Sequence, residues 1–188
     1  MDRKGFTLLE LIIVMGILAA LSVVAIPQIS HYNNDQSLQS AAADLQQSLR
    51  TAQSNALNGV VCSDNPSNLA SSQWSLVLSD TSYTAQATCT APTPSPWPVA
   101  ASSTKNLPAD VQISGIWIDN TACGSVFGKG ISFSNISGNV NFNVTPDCEV
   151  ISSTQKMRIG LVLKDDPNKK IYVVIERGGS IYVSSGVP

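Results

Sequence analysis

The chain has 188 residues and a formal net charge of -2, and Asp, Glu, Lys and Arg make up only 13% of it, against about 25% in ordinary globular domains. That balance excludes a surface coated in positive charge for nucleic acid, so any such contact must be local. A single histidine, no nucleophile placed with a base and no Gly-rich phosphate loop argue against an enzyme, and nothing calls for a cofactor or a metal.

Residues Phe6 to Ile26 form a 21-residue apolar run broken by one charge, Glu10. As a helix it is about 30 Å long, enough to cross a hydrocarbon core. Arg3 and Lys4 precede it and the next basic residue is Arg50. This asymmetry predicts a single pass through a lipid bilayer, with the N-terminus cytoplasmic and the head exported. Val23-Val24-Ala25 offers a weak site for an ordinary signal peptidase, but the run exceeds the usual h-region, Glu10 interrupts it, and Pro27 would flank the cut. Pro27 lacks a backbone N–H and presses on the carbonyl of Val23, and Gly16 is a weak point upstream, so both are expected helix-kink positions.

Beyond the proline, Leu38, Ala42, Leu45, Leu49, Ala52 and Ala56 recur at spacings of three and four, which predicts an amphipathic helix over 28–58 with one apolar stripe. Asn58-Gly59 supplies a stop that tolerates left-handed backbone, so the helix should end near Leu57. His31 has neither Cys nor carboxylate neighbours and reads as a solvated residue. From Gly59 the periodicity becomes alternating. It predicts strands at Trp74–Ser79, Tyr83–Thr88, Val111–Asp119, Ile131–Ser134, Val140–Val144, Met157–Lys164, Lys170–Glu176 and Ile181–Ser184. The apolar parity shifts across Gly115, as a bulge would produce. The fold class is therefore α+β: a long N-terminal helix, transmembrane in its first half and amphipathic in its second, packed on an antiparallel β-rich head over 59–188.

Cys62, Cys89, Cys123 and Cys148 lack C-x-x-C spacing, so outside the cytoplasm they read as disulfides rather than metal ligands. Of three connectivities, Cys62 with Cys89 and Cys123 with Cys148 is favoured. Residues 90–98 carry four prolines and should form an exposed polyproline-like loop. Asp165-Asp166-Pro167-Asn168 reads as a hairpin turn, with clustered oxygens for calcium as the competing reading. A five-residue loop there would place Leu163, Leu161 and Ile159 opposite Ile171, Val173 and Ile175, and Arg158 opposite Glu176 as a cross-strand ion pair. Asn135-Ile136-Ser137 and Asn143-Val144-Thr145 match glycosylation acceptors only formally.

Lys4-Gly5-Phe6-Thr7-Leu8-Leu9-Glu10-Leu11 resembles the prepilin signal of type IV pilins and type II secretion pseudopilins. The resemblance implies a pilin-like fold, a leader over 1–5 cut between Gly5 and Phe6 by a prepilin peptidase, and N-methylation of Phe6. It further implies a transmembrane and polymerisation helix over 6–27, often unwound between Gly16 and Pro27 in filaments, in which Glu10 meets the Phe6 amine of a neighbouring subunit. The partners implied are other pilins or pseudopilins and the inner-membrane assembly platform. Ile131-Ser132-Phe133 with Gly138, Tyr172 to Ile175, Gly178-Gly179 and Ile181 to Val183 resemble the pseudopilin H and FimT-like branch. A minor pilin or pseudopilin is thus expected, in a pilus, secretion or competence machine. The alternative is DNA binding for uptake through a basic C-terminal hairpin. It rests on Lys156, Arg158, Lys164, Lys169, Lys170 and Arg177, set against Asp165, Asp166 and Glu176.

Overall fold

A computed structural model describes residues 7–59, 71–89, 102–124, 126, 128–134, 140–143 and 156–185, with side chains at 23–33, 71–72, 88–89 and 143 outside that description. Two compact units divide the chain, Met1–Gln36 and Ser37–Pro188. Helix α1 covers Leu8–Leu57, and the backbone is helical through both Gly16 and Pro27. It stops where the sequence predicts. Asn58 N–H still donates to Ser54 O at 2.9 Å, and Gly59 then takes φ 57°, where a side chain would be strained.

The second unit holds ten strands in two antiparallel sheets. The first sheet has the order β3-β2-β1-β6-β7, from β1 (Ser71–Leu78), β2 (Ser82–Cys89), β3 (Ser102–Asn106), β6 (Gly130–Ser134) and β7 (Val140–Asn143). The second has the order β10-β9-β8-β4-β5, from β4 (Val111–Ile118), β5 (Thr121–Ala122), β8 (Lys156–Leu163), β9 (Lys170–Glu176) and β10 (Ile181–Ser184). Neither β3 nor β5 was expected. All five residues of Ser-Ser-Thr-Lys-Asn are exposed in β3, so no buried face imprints an alternation on them, and β5 is two residues long.

One core joins the helix to both sheets. Leu38, Ala42, Leu45, Leu49, Ala52 and Ala56 are all buried, as their spacing predicts, together with Ala41. They share a cluster with Leu76, Leu78, Ile131 and Phe133 of the first sheet and Ile116, Ile159, Leu161, Val173 and Ile175 of the second. Among polar residues inside, Ser48 donates to the Tyr83 hydroxyl at 3.3 Å. Burial pushes the Tyr83 phenol above its ordinary value; the Ser48 bond opposes that shift and the Asp44 charge adds to it.

Polar side chains on a neighbouring stripe of α1 clamp the edge of the second sheet. Gln46 Nε2 and Arg50 Nη2 both donate to Ile181 O at 2.9 Å, and Gln53 Nε2 donates to Gly179 O at 3.0 Å. Because β10 is an outer strand, the bonds to Ile181 satisfy a backbone carbonyl that would otherwise lack a partner strand, while Gln53 holds the preceding turn. In β4 the pairing with β8 shifts between Ile113 and Gly115, which is the expected bulge. A Cβ on Gly160 would lie 2.6 Å from the Trp117 ring, so glycine lets the indole lie against the strand. Trp117 meets Tyr172 edge-on, with centroids 5.5 Å apart.

The β8–β9 register corrects the expected one by two residues. Leu161, Ile159 and Met157 face Ile171, Val173 and Ile175, and Lys156, not Arg158, lies opposite Glu176. Two successive turns tighten the connection: Asp166 N–H donates to Leu163 O at 3.3 Å and Lys169 N–H to Asp166 O at 3.1 Å. Asn168 N–H also donates to Asp166 Oδ1 at 3.2 Å, so the Asp-Asp-Pro-Asn stretch is the turn that its composition suggests. A two-residue slip keeps every side chain on its own face. The expected Arg158–Glu176 pair is therefore not formed. Arg158 instead donates to Asp119 O and to Asn120 Oδ1, while Glu176 Oε1 accepts from the Tyr182 hydroxyl at 3.1 Å.

Candidate assembly site

The helix begins at Thr7. Its carbonyl accepts from the N–H groups of Glu10 at 3.1 Å and Leu11 at 3.3 Å, and its Oγ1 accepts from Glu10 N–H at 3.3 Å. Thr7 is thus the N-cap and Glu10 the third helical residue, the positions of a Thr-x-x-Glu capping box. A carboxylate in the first turn also faces the positive end of the helix dipole, worth about 0.3–1 kcal/mol near a surface. The sequence carried this signal in Thr7-Leu8-Leu9-Glu10, and reading the stretch only for its greasy run missed it.

Past the cap, Leu8, Leu9, Leu11, Ile12, Ile13, Val14, Met15, Ile17, Leu18 and Leu21 are all exposed, from 49% at Val14 to 78% at Leu8. At 100° per residue these positions occupy every side of the helix. No single flat partner can cover them, so a medium or a set of helices that surrounds the segment is required. Among the described residues no helix is long and apolar enough to cross a membrane. The described part of the run, Leu8–Ser22, measures about 22 Å, and the rest of it, Val23 to Ile26, falls where side chains are outside the description. Gly5 and Phe6 also lie outside the described residues.

Residues 1–26 match the family model for the prokaryotic N-terminal methylation motif. The chain carries a type IV pilin-like prepilin signal. That prepilin signal supports a membrane-anchored subunit that assembles with other pilin subunits after processing by a prepilin peptidase. No curated protein and no solved structure matches the chain.

The six basic residues of the C-terminal region are not gathered on one patch. Lys164, Lys169 and Lys170 sit at the turn end of the β8–β9 hairpin, beside Asp165 and Asp166, whereas Lys156, Arg158 and Arg177 sit at its other end, about 20 Å away along the strands. Lys164 Nζ donates to Ala109 O at 2.6 Å, and Arg158 holds the Asp119-Asn120 turn. The structure thus divides the DNA-binding candidates between two ends of a hairpin. Cys123 is buried and disulfide-bonded. Its partner, like Cys62, Cys148 and the side chain of Cys89, lies outside the described residues. The same holds for His31's side chain, for the 90–98 loop and for the side chains of both glycosylation-like sites.

Proposed function

We propose that this chain is a minor pilin or pseudopilin, a structural subunit that polymerises through residues 6–27 once the leader is cut between Gly5 and Phe6 and Phe6 is methylated. The observation that carries this reading is a helix segment apolar on all sides, opened by a single carboxylate. In a bilayer, lipid tails satisfy such a surface before assembly; in a filament, neighbouring helices do so. Glu10 supplies register. An isolated carboxylate within hydrocarbon costs up to about 2.5–3.5 kcal/mol, less near the interface, so a cation partner for Glu10 is favoured. The Phe6 amine of the next subunit is that cation, and Gly16 and Pro27 mark where the helix yields on packing. The head stays outside the cytoplasm, its folds tied by Cys62–Cys89 and Cys123–Cys148.

The Glu10→Val protein tests this. It should remain in the membrane fraction, since a more apolar helix inserts at least as well, while dropping out of sheared or cross-linked filaments. Normal incorporation overturns the role given to Glu10.

A further inference from the structure

The outer strand of the second sheet is capped at one point and open at the next. Ser180 O accepts from Glu176 N–H at 2.9 Å, so along β10 the backbone groups of Tyr182 and Ser184 turn toward β9 and those of Ile181 and Val183 turn outward. Gln46 and Arg50 cover the Ile181 carbonyl. Two residues on, nothing among the described residues pairs with the Val183 N–H and C=O. Apolar side chains flank this opening. Tyr182 and Val183 are each 40% exposed and, apart from Leu57, are the only large apolar side chains so exposed among the described residues of Ser37–Pro188. As neighbours in one strand they point to opposite faces, Val183 sharing the side of buried Ile181.

A backbone N–H and C=O held side by side at a sheet edge select an extended polypeptide, whose own backbone returns an acceptor and a donor at the same spacing. The apolar flanks select uncharged side chains on both faces of that segment. Strand β10 meets both requirements itself. Its sequence Ile-Tyr-Val-Ser carries no charge to repel a copy, and antiparallel pairing about a two-fold axis is self-complementary. The prepilin signal also supports anchoring of copies in one membrane, which keeps them at a high local concentration.

We propose that β10 pairs antiparallel with β10 of a second copy of this chain, Val183 lying opposite Val183 of the copy so that each N–H donates to the other's C=O. Tyr182 then lies opposite Ser184 of the copy, and the two five-stranded sheets become continuous. Gln46 and Arg50 keep the pairing short, because they occupy the Ile181 carbonyl that a longer ladder would need. The supply of nearby copies rests on the membrane-anchored reading, whereas Glu10 has no part in the contact.

Photo-cross-linking of the full-length protein in phosphatidylcholine vesicles, with a benzophenone amino acid in place of Tyr182, tests it. Irradiation should give a homodimer band severalfold stronger than the same group gives at Thr104, an exposed position of the first sheet. Val183→Pro should reduce the band to the Thr104 level while the head stays folded, since proline lacks the N–H and is tolerated where that group faces away from the neighbouring strand. Gln46→Ala with Arg50→Ala should strengthen the band severalfold by freeing the Ile181 carbonyl for a longer ladder, and Glu10→Val should leave it unchanged. A band no stronger than at Thr104, one that survives Val183→Pro, one that weakens when Gln46 and Arg50 are replaced, or one lost with Glu10→Val overturns the proposal. Cross-linking in cells to a different polypeptide in place of the homodimer overturns it as well.

Discussion

The two halves of α1 both carry many apolar residues and use them in opposite ways. Over Leu8–Leu21 the large side chains are exposed on every side; over Leu38–Ala56 they are confined to one stripe and fully buried. Angular distribution, rather than hydrophobicity, accounts for the difference. A single stripe can be covered by one head, with Gln and Arg beside it free to reach a strand edge. An apolar circumference cannot be covered by any one flat partner. The alanines of the second half also let backbones approach, whereas the leucines and isoleucines of the first half extend outward.

Breaking the buried stripe should have the largest effect. Leu49→Ala is expected to cost about 2–5 kcal/mol of head stability, read by thermal or denaturant unfolding. A loss below about 1 kcal/mol would mean the stripe is not the core it looks like. Next, removing both donors to Ile181 O with Gln46→Ala and Arg50→Ala should cost about 0.5–1.5 kcal/mol, because a part-buried edge carbonyl loses its protein partners and is left to water. Hydrogen exchange in β10 should rise with it, and unchanged protection there would show that the clamp does not hold the strand.

The Tyr83 phenol gives a smaller, pH-dependent handle. Its folded value lies above the unfolded value near 10, so the stability it contributes is present below about pH 10 and is lost as pH rises through the folded value. Tyr83→Phe should therefore flatten the alkaline limb of stability, and an unchanged limb would assign it to another group. The smallest effect is expected in the exposed half. Ile12→Ala should leave head stability within about 0.5 kcal/mol of the parent while reducing recovery in filaments. A clear loss of head stability would contradict the contrast between the two halves.

Much of this organisation was present in local pattern. The 3–4 spacing from Leu38 to Ala56, the Asn58-Gly59 stop and the parity change at Gly115 each depend on side-chain directions inside one element, and each is found where its pattern lies. Strand β3 left no such trace because both of its faces are exposed. The β8–β9 register failed for a different reason. Alternation rejects a slip of one residue, which turns Leu161 and Ile159 outward, but it cannot separate registers two residues apart; the paired turns around Asp166 made that choice.

The sequence by itself determined the prepilin signal, the extent of the helix, the stripe that faces the head and the faces of most strands, because these follow from residue type and period along a single element. Only the tertiary structure decided which strands pair and in what register, that Gln46, Arg50 and Gln53 clamp the β9–β10 edge, and that Arg158 serves the Asp119 turn instead of Glu176. Those outcomes join residues more than thirty positions apart or depend on turn geometry, where local periodicity carries no information about the partner.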